Sequence, residues 1–376
     1  MSFIGGIDFR PLQSRISAQE RAARCASPAF GHVFTEHMVS MSWSRELGWN
    51  KPELVPYGPL ELDPATVGLH YGQVVFEGLK AFRTDDDRIF VFRPEAHARR
   101  FRRSAQRLMI PEFPDELFVR AVDALVYEDR AWIPDDPNVS LYLRPILFAS
   151  EAALALRPAH EYRFLLMAFV TEGFFGQVPR PLTVWATTEY SRAATGGTGE
   201  SKCAGNYAGT YLAQEQAARE GCDQVVWLDS VERRWVEELG GMNLFFVHGR
   251  GDRARLTTPP LTGTLLPGVT RDALLVLAAD LGLAVTEEPI TLDQWRRGCL
   301  DGEISEAFAC GTAAGISSIG TVRTASGSWN VGDGAEGAVT AQLSRLLLGI
   351  RRGELPDPHH WMHPVGPAVA GRREQR

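Results

Sequence analysis

The chain has 376 residues, 44% of them hydrophobic and 23% charged, the composition of a globular protein long enough for more than one core. Its net charge of −7 argues against nucleic acid or an anionic membrane surface as the main partner. Five cysteines, Cys25, Cys203, Cys222, Cys299 and Cys310, are scattered with no Cys-x-x-Cys pair, which excludes a disulfide framework or a zinc site and fits a reducing cytoplasm.

The opening residues, Met1 to Arg10, lack a charged stretch followed by an apolar one, so no secretory leader is expected. The first ~45 residues are mixed and polar and are expected to wrap the surface. Gln73 to Phe82 and Arg88 to Phe92 read as strands flanking Thr84-Asp85-Asp86-Asp87, a solvated hairpin turn. Pro94 opens a helix to Leu108 that carries Arg99, Arg100, Arg102, Arg103 and Arg107, and a second helix is expected from Pro114 to Arg130. Strands follow at Ser140 to Ala149 and Arg163 to Thr171. The apolar run from Phe164 to Val170 is far too short to span a membrane.

Pro179-Arg180-Pro181 is the best linker in the chain. It divides the sequence into a smaller N-terminal α/β domain over 1–176, a linker over 177–187 and a larger C-terminal domain over 188–376. In the second part a strand is expected at Leu182 to Glu189, a helix from Ala208 to Arg219, a hairpin at Gln224 to Asp229 and Trp235 to Leu239, and a strand at Asn243 to Val247. A helix opens at Gly268-Val269-Thr270 and stops at Gly282. A strand at Ile304 to Cys310 runs into Gly311-Thr312-Ala313-Ala314-Gly315, and the last helix is expected over Gly337 to Ile350. The hairpin-like strand pairs favour an α+β fold with mixed sheets and flanking helices over a doubly wound one.

The chemistry centres on Gly196 to Tyr207, where Lys202 lies among small residues just before a helix. Backbone without Cβ atoms lets a planar group approach closely, and a primary amine in such a slot suits a Schiff base with an aldehyde cofactor. The sequence lacks the Gly before and the Ser or Thr after this lysine that a nucleotide-binding loop needs. Pyridoxal 5′-phosphate would also require a phosphate cup, a carboxylate at the ring nitrogen and a phenol at the 3-oxygen. Leu266 to Arg271 offers a helix N-terminus with a Thr hydroxyl, and Gly311-Thr312-Ala313 a second small-residue turn. Helical spacing cannot choose among the five arginines of the Pro94 helix. Glu237 and Glu238 sit on a strand, so only one can face a ring. Tyr142 and Arg144, two apart on a strand, share a face and could together recognise a carboxylate; the alternative is a half-exposed sheet. His359 to His363 has two-His spacing but no acidic partner, and no metal is expected.

These residues, with Gly48 to Pro52, Leu69-His70-Tyr71, Phe76 to Phe82, Ser140 to Pro145 and Glu238 to Phe245, make the chain resemble the branched-chain amino acid aminotransferases. These belong to the fold type IV, D-amino acid aminotransferase-like group of pyridoxal phosphate enzymes. The resemblance implies a two-domain α+β fold whose C-terminal domain binds the cofactor. It implies Lys202 as the Schiff-base lysine and proton carrier, Arg100 on the phosphate, Tyr207 on the 3-oxygen and Glu238 on the ring nitrogen. Leu266, Gly268, Val269, Thr270, Gly311 and Thr312 would line ring and phosphate. Tyr71, Phe76, Tyr142, Arg144, Phe174 and Ala313 would form the substrate pocket, Tyr71 reaching across a homodimer interface. Phe174 stands where many relatives have tyrosine, Gly241 where some have threonine, and Ala314 and Ser317 where animal relatives carry a cysteine pair. Lys80 matches a motif lysine that is not the Schiff base. The expected partners are small amino acids and 2-oxo acids, with no nucleic acid and no membrane. The nearest rivals are a D-amino acid aminotransferase and an aminodeoxychorismate lyase of the same fold. A non-catalytic phosphate- or nucleotide-binding module using Gly268-Val269-Thr270 is a rival from another class.

Overall fold

The computed structural model describes all residues except Met1, Gly5, 137–138, 173–179 and 367–376. Phe174 and the start of the expected linker therefore lie outside the described residues. The rest form two compact units. One holds the residues before 173 together with 201–204 and 350–366; the other holds 180–200 and 205–349. Two stretches that the sequence reading put in the second domain thus cluster with the first.

In the first unit the chain runs through β1 (Ser2–Ile4), β2 (Ile7–Phe9), α1 (Ala18–Arg24), β3 (Val33–Ser44), β4 (Gly48–Trp49) and β5 (Glu53–Pro56). It continues through α2 (Val67–Tyr71), β6 (Val74–Phe76), β7 (Leu79–Arg83), β8 (Ile89–Phe92), α3 (Pro94–Arg107), α4 (Asp115–Glu128), β9 (Ser140–Ala149) and β10 (Glu161–Thr171). Among the described residues the sheet order is β1-β2-β5-β3-β10-β9-β7-β8, with Met362–Val365 closing the edge beside β8. All pairings are antiparallel except β2 with β5. Leu79, Ala81, Leu141, Leu143 and Leu147 face a core built from α3 and α4, with Phe113 stacked on Phe164 at 4.0 Å. α3 starts with Pro94 at its first turn and buries His97, Ala98, Arg100, Phe101, Ser104 and Ala105, a stripe at helical spacing.

Two expectations are corrected here. The first 45 residues do not merely wrap the surface: β3 is a central strand with Met38, Val39 and Met41 buried. Its alternation is disguised by the buried polar residues Thr35 and His37. His37 Nδ1 lies 2.6 Å from Asp129, which also accepts the His37 N–H. The strand expected from Gln73 to Phe82 is interrupted at Glu77-Gly78, although β6 and β7 keep one register on β9. Opposite the break is Pro145, which accepts the Glu77 N–H but has no N–H to return.

The second unit contains β11 (Leu182–Ala186), α5 (Gly205–Ala208), α6 (Tyr211–Arg219), β12 (Gln224–Leu228), β13 (Val236–Leu239), β14 (Met242–His248), β15 (Arg255–Thr258), α7 (Val269–Asp280) and β16 (Ala284–Glu287). It then has α8 (Leu292–Leu300), β17 (Ile304–Gly311), β18 (Gly315–Thr324), β19 (Gly327–Asn330) and α9 (Ala338–Arg352), whose last residues belong to the first unit. The order β13-β12-β11-β18-β17-β14-β15-β16 mixes parallel and antiparallel pairs, and β13 also pairs with β14, which closes six of the strands into a ring. The helix expected from Ala208 to Arg219 begins only at Tyr211, and Ala208 instead ends the separate short helix α5. The two part where the Thr210 N–H and hydroxyl both return to the Tyr207 carbonyl. The α+β architecture with mixed sheets and flanking helices is as expected. Among the described residues no helix is long and apolar enough to cross a membrane.

Candidate active site

Lys202 is held by its backbone on both sides. Its N–H donates to Ser104 Oγ at 3.0 Å, and its carbonyl accepts the Phe76 N–H at 3.0 Å. Cys203 bridges to Val75 and the Ala204 N–H donates to the Val74 carbonyl, so residues 201–204 lie along β6 like a short extra strand. That ladder is why this tetrapeptide clusters with the first unit. The amine sits 5.0 Å from the centre of the Phe76 ring, and Arg144 lies 5.0 Å from the same ring and 5.5 Å from that of Tyr142.

Tyr142 is buried rather than on a half-exposed sheet. Its ring meets Phe30 at 5.2 Å and stacks on Phe169 at 4.8 Å, while Leu141 and Leu143 fill the opposite face. Gly78 permits this packing, because a Cβ there would overlap the Tyr142 hydroxyl. Arg144 Nε has no hydrogen-bond partner among the described residues, which leaves a buried donor beside the Phe76 and Tyr142 rings.

Of the five arginines on α3, Arg99, Arg103 and Arg107 are exposed and Arg102 half-buried; Arg100 alone is turned fully inward. Its Nε and Nη2 donate to the two carboxylate oxygens of Glu77 at 2.6 and 2.9 Å, and His97 Nδ1 is 2.8 Å from Glu77 Oε2. Burial alone would raise the Glu77 carboxyl, but Arg100 and then His97 hold it well below the usual carboxylate range. Burial lowers His97, which Glu77 only partly offsets. Lys80 is half-buried, and burial together with Arg351 brings it down to about 7.

In the second unit both neighbouring glutamates are buried. Glu238 Oε1 accepts the Leu266 N–H at 2.5 Å and lies 3.4 Å from Asn243 Nδ2, while Oε2 is 3.2 Å from Arg192 Nε, off the line of a hydrogen bond. Glu237, on the other face of β13, accepts the Thr264 hydroxyl at 2.5 Å, and burial pushes its carboxyl up against that bond and the nearby Arg192. Asn243 Nδ2 also donates to the Leu266 carbonyl, and a Cβ on Gly268 would overlap Asn243 Oδ1. Gly268 caps α7, and Val269 and Thr270 are buried in its first turn, where backbone N–H groups lack intrahelical acceptors. Tyr207 is half-buried, with its ring 3.6 Å from where a Gly241 Cβ would stand. Gly311, Thr312 and Ala313 form the turn between β17 and β18, closed by Gly311 opposite Gly315.

Within the first unit the structure thus brings together Phe76, Tyr142, Arg144 and Lys202, with Arg100 held on Glu77. Within the second it gathers Glu238 with Leu266, Gly268 and the start of α7. Tyr71 is on the exposed end of α2, where its hydroxyl donates to the Leu154 carbonyl. Glu77, His97 and Ser104 were missed by sequence reasoning, although the α3 stripe that carries the last two was visible. Phe30, Arg192 and Asn243 were missed as well. Only contacts distant in sequence reveal them.

Residues 74–322 match the amino-transferase class IV family, well over half of the chain. The chain belongs to this family. As a class IV aminotransferase it is 49% identical, over 94% of its length and 98% of the relative's, to the branched-chain-amino-acid aminotransferase of Mycolicibacterium smegmatis. The crystal structure of the Escherichia coli branched-chain amino acid aminotransferase matches with a TM-score of 0.72 at 25% identity, covering 88% of this chain and all of that one. The T.th. branched-chain amino acid aminotransferase, solved with N-(5′-phosphopyridoxyl)-L-glutamate, matches with a TM-score of 0.70 at 26% identity over 89% of this class IV chain and 100% of that one.

Proposed function

We infer that this protein is a pyridoxal 5′-phosphate-dependent aminotransferase exchanging the amino group between branched-chain L-amino acids and 2-oxoglutarate. The observation that carries the reading is near-50% identity, over almost the whole length of both chains, to an enzyme named for that activity. The donor set fits the cofactor: a primary amine at Lys202, a buried carboxylate at Glu238 and the N-terminal turn of α7, begun at Gly268 and carrying the Thr270 hydroxyl.

Lys202 would carry the cofactor and Arg100, Thr270, Val269 and Thr312 its phosphate, with Leu266, Gly268 and Gly311 beside them. Tyr207 would serve the 3-oxygen and Glu238 the ring nitrogen. When bound, the cofactor supplies an electron sink for the substrate's α-carbon. Lys202 would remove and return the α-proton, a task that suits an amine held by backbone bonds on both sides. Phe76, Tyr142, Ala313 and Phe174 would receive an apolar side chain. Arg144, beside Tyr142, would pair with the second carboxylate of glutamate.

The enzyme would act as a homodimer in the cytoplasm, with Tyr71 at the subunit boundary. The exposed apolar side chains of Leu69, Tyr71, Leu154 and Leu156, on segments hydrogen-bonded to one another, support that assembly. The test is a two-way assay. L-leucine with 2-oxoglutarate should yield glutamate, and D-alanine should not replace leucine; turnover of D-alanine alone would overturn the reading.

A further inference from the structure

Glu238 is not an isolated acid. Arg192, itself 7% exposed, faces Glu238 Oε2 at 3.2 Å, and its Nη2 donates to the Thr264 and Gly199 carbonyls, which fix the guanidinium against the loop that leads to Lys202. Oε1 is meanwhile occupied by the Leu266 N–H and approached by Asn243. Every one of these neighbours is a donor or a cation, and all favour the carboxylate over the carboxylic acid.

We propose that Arg192 is a positioning residue that keeps Glu238 ionised, so that the proton shared with the cofactor's ring nitrogen stays on the nitrogen. This rests on Glu238 being the partner of that nitrogen. The pair holds one proton in either arrangement: carboxylate with pyridinium, or carboxylic acid with neutral pyridine. Interconversion breaks one O–H or N–H bond and forms the other, with no net gain of protons. A buried carboxyl group without a cation drifts toward the acid form, since desolvation disfavours its charge. Arg192 reverses that preference and so preserves the cationic ring that withdraws electrons from substrate. Glu237 does not supply the same effect: it lies on the opposite strand face and adds negative charge where it ionises.

The experiment is 15N NMR of holoenzyme reconstituted with pyridoxal phosphate labelled at the ring nitrogen. The wild type should give a pyridinium signal; a neutral-pyridine signal would overturn the proposal without any variant. Arg192→Met should move the resonance toward neutral pyridine, with a drop in kcat of roughly tenfold or more and a smaller change in the KM for leucine. Arg192→Lys, which restores the charge, should return the resonance toward the wild-type position. A wild-type signal in Arg192→Met would sink the role of Arg192. A signal left unchanged by Glu238→Gln would instead mean that Glu238 is not the nitrogen's partner, and the cofactor assignment at that position would fall separately.

Discussion

Arg144 and Lys202 bracket one aromatic ring, and their replacement should separate binding from chemistry. Arg144→Leu removes a cation whose Nε has no protein partner among the described residues, so little of the surrounding protein is disturbed. The expected loss is about 2 kcal/mol, roughly 30-fold in kcat/KM, for 2-oxoglutarate and only a few-fold for leucine. Steady-state rates in both half-reactions check this, and equal losses would remove the assignment. Lys202→Ala should lower turnover by at least roughly 100-fold and abolish borohydride fixation of the cofactor to the protein. Lys80 makes this a demanding comparison, because an amine brought down to about 7 is also nucleophilic near neutral pH. Peptide mapping of reduced enzyme should nevertheless find the adduct at 202 and none at 80. The lysine was legible because its flanking glycines are a local signal. Arg192 and Asn243 were not, because Arg192 meets Glu238 across 46 residues and Asn243 meets Leu266 across 23.

At the scale of elements, legibility followed the source of each strand's or helix's stability. β9, α3 and α7 carry their own periodicity and were anticipated nearly to the residue. β3 was not, because buried His37 and Thr35 break the alternation and only the Asp129 contact explains His37. β18 was missed because Ser317, Ser318 and Gly320 dilute its apolar pattern while β11 and β17 supply its pairing. α8 was missed although Thr291 and Gln294 form a capping box, a signal that is present in the sequence. The start of α7 is the element most exposed to a one-atom test. Gly268→Ala would drive a Cβ into Asn243 Oδ1, and Asn243 is the residue joining Leu266 to Glu238. Overpacking of this kind costs about 1–3 kcal/mol. Apo-protein titrated with pyridoxal phosphate should bind roughly tenfold more weakly, while Gly241→Ala, with open contact distance to Tyr207, should bind nearly as wild type.

For the molecule as a whole, the chain's return to its first sheet is the feature that sequence could not supply. Met362–Val365 pairs with β8 and covers an edge that would otherwise be open, and the Arg93 N–H donates to the Trp361 carbonyl just before it. The strand is tied down by His363, whose Nε2 is 2.8 Å from Asp123 on α4 and whose Nδ1 is 3.6 Å from Glu95 on α3. The bond to Asp123 raises the His363 value above 6.5, partly opposed by burial. A raised folded-state value stabilises the fold fully below the ordinary histidine value and loses that contribution as pH climbs through the folded one. Buried His97 and His248 are lowered and act in the opposite sense, so the stability of the wild type alone would mix the two. The difference between wild type and His363→Gln isolates the strap. It should favour the wild type by about 1 kcal/mol at pH 5.5, where the imidazole is charged against two carboxylates, and shrink toward zero by pH 9. Thermal unfolding of both proteins across that range measures it, and a difference that stayed constant or grew with pH would show that the closing strand is held by its backbone pairing and not by this charge.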